Sequence, residues 1–109
     1  MVWRHQATQQ QIANAGLRLD VEIKLGCRPN VGFDDTNRQL HLIHPSKIIS
    51  LPYDNLVKWD SEWTQKGTEK SNFRTRIIVR GMEKPSYEVF CGFEKTYQKL
   101  SDNLSIRFQ

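Results

Sequence analysis

The side chains able to do chemistry are few and scattered. Three histidines (His5, His41 and His44), two cysteines (Cys27 and Cys91), the run Asp34-Asp35-Thr36-Asn37 and the pair Tyr53-Asp54 are the candidates for acid–base, nucleophilic or metal work. His41 and His44 fall on an expected strand and its end at an odd spacing, so they point to opposite faces and do not converge on one ion. Asp34 and Asp35 are adjacent carboxylates without the spaced ligands and the glycine of a calcium loop. In a hairpin loop such side chains bond nearby backbone groups instead. Asp54 stands at a turn, where it is placed to cap local backbone groups. Cys27 and Cys91 form no CxxC, and no motif sets a histidine or an acid beside either one. Buried free thiols are the first reading, a disulfide the second and a nucleophile the last. No nucleophile, base and orienting group follow from these spacings, so the chain is read as non-enzymatic, with no catalytic residue, no metal site and no cofactor.

Charge adds little specificity. Sixteen Lys and Arg against twelve Asp and Glu give a formal charge of +4 over 109 residues. Residues 1–54 carry six basic and five acidic side chains and residues 55–109 carry ten and seven, so neither half is a basic tail. Interspersed signs are the ordinary design of a solvated surface, although the excess permits weak association with nucleic acid or anionic lipid. No helix-turn-helix, zinc or RNA-recognition signature is present. No apolar run approaches the ~18 residues of a membrane span, so no transmembrane segment is expected. The stretch MVWRHQATQQQIANA lacks the apolar centre of a secretory signal, and the expected location is the cytoplasm.

The elements that must position these side chains are mostly strands. His5 to Ala15 is polar and helix-permissive and ends at Gly16, which gives a short helical lead-in over residues 1–16, with Trp3 free to pack back onto a sheet. From residue 17 to 109 the pattern is one domain. Leu17 to Leu25 alternates apolar and charged residues throughout, as a strand with one dry and one wet face does. Gly26 to Asn30 is a turn. Val31 to Phe33, Gln39 to His44, Lys47 to Leu51, Leu56 to Thr64, Phe73 to Arg80 and Ser86 to Cys91 read as further strands, with QKGTEKSN (Gln65 to Asn72) as a loop. Phe93, Tyr97, Leu100, Leu104 and Phe108 recur at helical spacing and predict a final amphipathic helix.

Parity decides how Leu56 to Thr64 faces Phe73 to Arg80. If paired residue numbers sum to an even value, Trp59 and Trp63, with Val57, share a buried face with Phe73, Ile77 and Val79, while Asp60 and Glu62 meet Arg74 and Arg76. An odd sum would set tryptophans over arginines. The even register is expected, since opposite charges paired across strands contribute roughly 0.2–1 kcal/mol each.

This order of about seven short strands and one C-terminal helix resembles that of the pleckstrin-homology-like fold, which implies a bent antiparallel sheet, or open barrel, capped by the helix. VGFDDTNRQLHLI followed by IISLPYDNLVKWDSEW, and the later FRTRIIVRGMEKPSYEVFCG, resemble the bacterial pleckstrin-homology-like domains of uncharacterised function. The resemblance covers roughly residues 17–108 and its motifs are structural. It implies a mostly β, α+β fold and supplies no catalytic residue. Relatives of that fold that bind phosphoinositides use basic residues on the first strands, and the matching positions here are Lys24 and Arg28, with Arg18 nearby.

The expected function is therefore that of an interaction module binding a protein partner, by adding a strand to a sheet edge or by filling the groove beside the helix. Anionic lipid headgroup binding through Lys24 and Arg28 is the alternative, and weak nucleic-acid binding the second. The candidate surface joins the wet face of the first strand, the turn Gly26 to Asn30 and the loop Gln65 to Asn72. Its cations are Arg18, Lys24, Arg28, Lys66 and Lys70, which have no evident acidic partner as close as those of Arg74 and Arg76.

Overall fold

Helix α1 (Val2–Ala15) ends where Gly16 takes φ +62, with the Gly16 N–H on the Ala13 carbonyl and the Leu17 N–H on the Ile12 carbonyl. This is the paired bonding of a Schellman cap, and it needs a residue tolerant of the left-handed region. The computed structural model describes residues 2–24 and 27–108, with the backbone alone for residues 2–5. The expected place of the Trp3 side chain, and the parts given to Leu25 and Gly26 in a strand and a turn, lie outside that description.

The chain continues through β1 (Val21–Ile23), β2 (Cys27–Arg28), β3 (Asn30–Asp34), β4 (Gln39–Ile43) and β5 (Ile48–Pro52). A single 3-10 turn at Tyr53–Asn55 leads to β6 (Leu56–Lys66), β7 (Glu69–Val79), β8 (Ser86–Cys91) and helix α2 (Glu94–Arg107). All strand pairs are antiparallel and fall into two sheets, ordered β1-β3-β4-β5 and β2-β8-β7-β6. The fold is mostly β, of the α+β class, and the two sheets do not close into one barrel.

The two sheets share one core. Ile23, Val31, Phe33, Leu40, Leu42 and Leu51 of the first sheet are buried with Phe73, Ile77, Val79 and Val89 of the second. Tyr97, Leu100 and Leu104 of α2 complete that core, and the helix touches β7, β8 and β1. The expected capping of the sheets by an amphipathic C-terminal helix is what the structure has. Phe93 is the exception to its stripe. It is the N-cap of α2, outside the helical turns, and is 65% exposed.

The first strand is shorter than the alternation of Leu17 to Leu25 suggests: among the described residues only Val21–Ile23 pair with β3. Leu17 and Leu19 are half-buried and belong to no strand. Leu19 crosses Gly32 of β3 so closely that a Cβ at Gly32 would lie 2.5 Å from its Cδ2. The wet face of that strand is not free either. Its outward row continues from Glu22 through Gly32 and His41 to Ser50. Helix α1 packs on β4, and Gln9 donates to Glu22 at 2.8 Å. Helix α1 thus forms an outer layer on the first sheet. The polar sequence of α1 hides this, because its contacts are made by Gln side chains and a buried Thr8 more than by apolar residues.

Candidate interaction surface

The hairpin β6–β7 dominates the second sheet, and its middle has the even register. Trp59 pairs with Ile77, Asp60 with Arg76, Ser61 with Thr75 and Glu62 with Arg74. Arg76 donates to Asp60 at 3.1 Å, and Arg74 forms an ion pair with Glu62. These carboxylates and arginines, with Glu88, line a shallow outward depression in which opposite charges alternate. The arginine row is neutralised by its neighbours, as the register argument required.

Beyond Glu62 the register shifts, because Thr64 pairs with Ser71 and β7 holds an extra residue at Asn72 and Phe73. Asn72 adopts φ 53, a left-handed conformation that asparagine tolerates better than most residues. The expected loop from Gln65 to Asn72 is instead paired strand: Gln65 faces Lys70, Lys66 faces Glu69, and only Gly67 and Thr68 form the turn. Gly67, at φ +64, supplies the positive φ that a two-residue hairpin turn demands. Since β8 pairs with β7 only from Phe73 to Ile78, residues 64–72 project beyond it as an exposed two-stranded arm.

At the base of the arm lies an aromatic shelf. Phe73 stacks on Tyr97 of α2 with ring centroids 4.9 Å apart, and Trp63 meets the same tyrosine edge-on at 6.1 Å. Lys70 holds its Nζ over the Trp63 ring at 4.9 Å, a cation–π contact. Trp63 is 42% exposed, so the expectation that it belongs to the core is corrected. Trp59 is half-buried against the core, and its Nε1 donates to the Phe108 carbonyl at 3.3 Å. Val57, expected on the buried face, is exposed at a second register shift near the start of β6. Along its other side β6 has no strand partner among the described residues.

The five cations do not make one surface. Arg18, for which no acidic partner as close as those of Arg74 and Arg76 was evident, binds Asp20 at 2.6 Å and Asp34 at 3.3 Å. It therefore stands beside Asp34, away from the hairpin arm. Arg28 is exposed in the row Arg28, Phe90, Arg74, on the outward face of the second sheet and opposite the aromatic shelf. Lys24 is exposed just ahead of Cys27. Lys70, paired with Gln65, lies over Trp63, whereas Lys66 pairs with Glu69 and so lies on the other face of the arm. The sequence showed no tertiary partner for Arg18, and it assigned Trp63 and Phe93 to the core by alternation and helical spacing. The position of Trp63 past the last charge pair, and of Phe93 between Gly92 and Glu94, were the available hints.

The acidic run is fully used. Asp34 accepts from the Asn37 backbone N–H at 3.0 Å and from Asn37 Nδ2 at 2.7 Å, and these bonds with Arg18 hold its carboxyl below the usual range. Asp35 takes both Nε and an NH2 of Arg107, at 2.7 and 2.8 Å, and the Tyr53 hydroxyl at 2.8 Å. The Arg107 guanidinium is the main cause of an Asp35 pKa drawn down to about 2, and burial pushes the Tyr53 phenol up. His41 is buried, with Nδ1 2.8 Å from Ser50 Oγ, and desolvation lowers its pKa. Asp54, expected to cap backbone, instead meets Arg38 at 3.0 Å in solvent. Among the described residues no group of three His, Cys, Asp or Glu stands where it could hold a metal ion. No described helix is long and apolar enough to cross a membrane. Comparison with family models, with curated proteins and with solved structures returns no match to this chain.

Proposed function

We propose that this chain is a non-enzymatic interaction module of the pleckstrin-homology-like kind that binds an extended, acidic segment of a protein partner along the free edge of β6, over Trp63. The observation that carries this reading is the exposed Trp63 ring, set between Lys70 and Tyr97 beside a strand edge that no other strand covers among the described residues. A free edge offers backbone hydrogen bonds to an added strand, and an exposed tryptophan offers the kind of rigid anchor on which binding energy concentrates. Lys70, over the Trp63 ring, favours acidic over basic segments, and Phe93 is an exposed aromatic residue at the start of α2. The commitment of Asp34, Asp35 and His41 to internal partners is consistent with a protein that does no acid–base chemistry. The lipid alternative would rest on Lys24 and Arg28, and the outward face that holds Arg28 also carries Glu88, Glu62 and Asp60.

Selection of random peptides on the folded protein tests the proposal. Enriched peptides should be acidic with an aromatic or aliphatic residue, and Trp63→Ala should weaken them by tenfold or more. Sedimentation with anionic vesicles in place of peptide enrichment, or a steeply salt-dependent affinity for generic nucleic acid, would favour the other two readings.

A further inference from the structure

The two cysteines, Cys27 and Cys91, are separated by most of the chain yet stand directly opposite each other as the last cross-strand pair of β2 and β8. Both are buried free thiols. Residues opposite one another in an antiparallel pair have Cα atoms about 4.5–5.5 Å apart, inside the roughly 4.4–6.8 Å that disulfides span, so the backbone spacing suits a bond between them. The protein holds no third cysteine, so neither thiol has another intramolecular partner. We propose that Cys27 and Cys91 are a reversible oxidation site, closing to an intramolecular disulfide when the protein meets an oxidant of the peroxide class.

The chemistry has a natural order. The two residues face each other, and their interaction draws the Cys91 thiol down and pushes Cys27 up, so Cys91 is the first of the pair to ionise. Its sulfur attacks a peroxide oxygen, the O–O bond breaks, and a sulfenic acid and hydroxide result. The Cys27 sulfur then attacks the Cys91 sulfur, the S–O bond breaks, and the hydroxyl leaves as water with the Cys27 proton. Both thiols are oxidised together by two electrons and the peroxide is reduced. Access is through β2, a two-residue strand at the sheet edge held by β8 alone, the kind of segment that opens locally at low cost. The linked row continues from Cys91 to Phe73, on which Tyr97 stacks, so the bond would fix the base of the aromatic shelf.

The test uses the whole chain. Reduced, folded protein is treated with hydrogen peroxide at neutral pH, alkylated, and followed by intact mass and peptide mapping. The expected product is a monomer lighter by two hydrogens, with one Cys27–Cys91 linked peptide, a higher urea midpoint than the reduced form, and full reversal by dithiothreitol. Cys27→Ser should stop at a Cys91 sulfenic acid that dimedone traps. Separate oxidation of the two thiols, linkage between chains, linkage only after denaturation, or a lower midpoint for the linked form would each overturn the proposal. If Cys27→Ser does not fold, the wild-type map decides alone.

Discussion

Arg107, in the last turn of α2, grips both carboxylate oxygens of Asp35, 72 residues earlier in the chain. Its side chain is only 13% exposed, and its guanidinium lies 4.4 Å from the centroid of the Phe33 ring. The pair ties the end of the C-terminal helix to the β3–β4 turn, and Tyr53, which also bonds Asp35, meets Phe108 edge-on at 5.1 Å. Replacing Arg107 by alanine should therefore cost about 2 kcal/mol, the scale of a hydrogen-bonded charge left without its partner. Urea unfolding of Arg107→Ala checks this, and an unchanged midpoint would mean that α2 is held by its apolar face alone.

The same pair sets a pH dependence. The folded pKa of Asp35, about 2, lies below the ordinary carboxylate value, so the folded state binds its proton less readily than the unfolded chain does. The stabilisation is present above about pH 4 and is lost as the pH falls towards 2. Asp35→Asn removes it at every pH. The gap in urea midpoint between wild type and Asp35→Asn should narrow from pH 5 to pH 2, and a gap constant over that range would contradict the assignment.

Gly32 and Leu19 make a second testable contact. Gly32→Ala sets a Cβ 2.5 Å from Leu19 Cδ2, and the leucine must move. A cost of about 1–3 kcal/mol is expected, as for overpacking elsewhere. On a Leu19→Ala background the cost of Gly32→Ala should largely vanish, because the clashing atoms are gone. Equal costs on both backgrounds would mean that the glycine is required by something other than Leu19.

Trp59 and Trp63 should separate in stability. Trp59 packs against the core and bonds the Phe108 carbonyl, so Trp59→Ala should cost about 3 kcal/mol. Trp63→Ala should stay within about 1 kcal/mol, since much of its ring faces solvent. Comparable losses would place Trp63 in the core after all.

Much of the second sheet was legible because strand residues obey a two-residue period and charges report on register. Asp60 and Glu62 find Arg76 and Arg74 for the reason that the sequence allows only one parity in which tryptophans avoid arginines. Tyr97, Leu100 and Leu104 were legible as a helix face in the same way. The extra residue at Asn72 was not, since a bulge breaks the period without altering composition, and it is what turns an expected loop into an arm. Nor was Arg107 with Asp35, or Cys27 with Cys91, because pairing across most of the chain is settled by topology and leaves no local trace. The candidate surface was read only in part for that reason. Lys70 was found by its charge, whereas Trp63 was hidden by its hydrophobicity.

An extended acidic segment seated on the free edge of β6 beside Trp63, as proposed, would be read by hydrogen exchange at the strand's own amides. Amides of Trp63 to Lys66 that do not bond β7 should slow markedly when a selected peptide is added, with no comparable slowing at Arg28, Glu88 or Phe90 on the outward face. The slowing should disappear in Trp63→Ala, which leaves the fold intact. Protection confined to the outward face, or none at β6 under saturating peptide, would contradict the account.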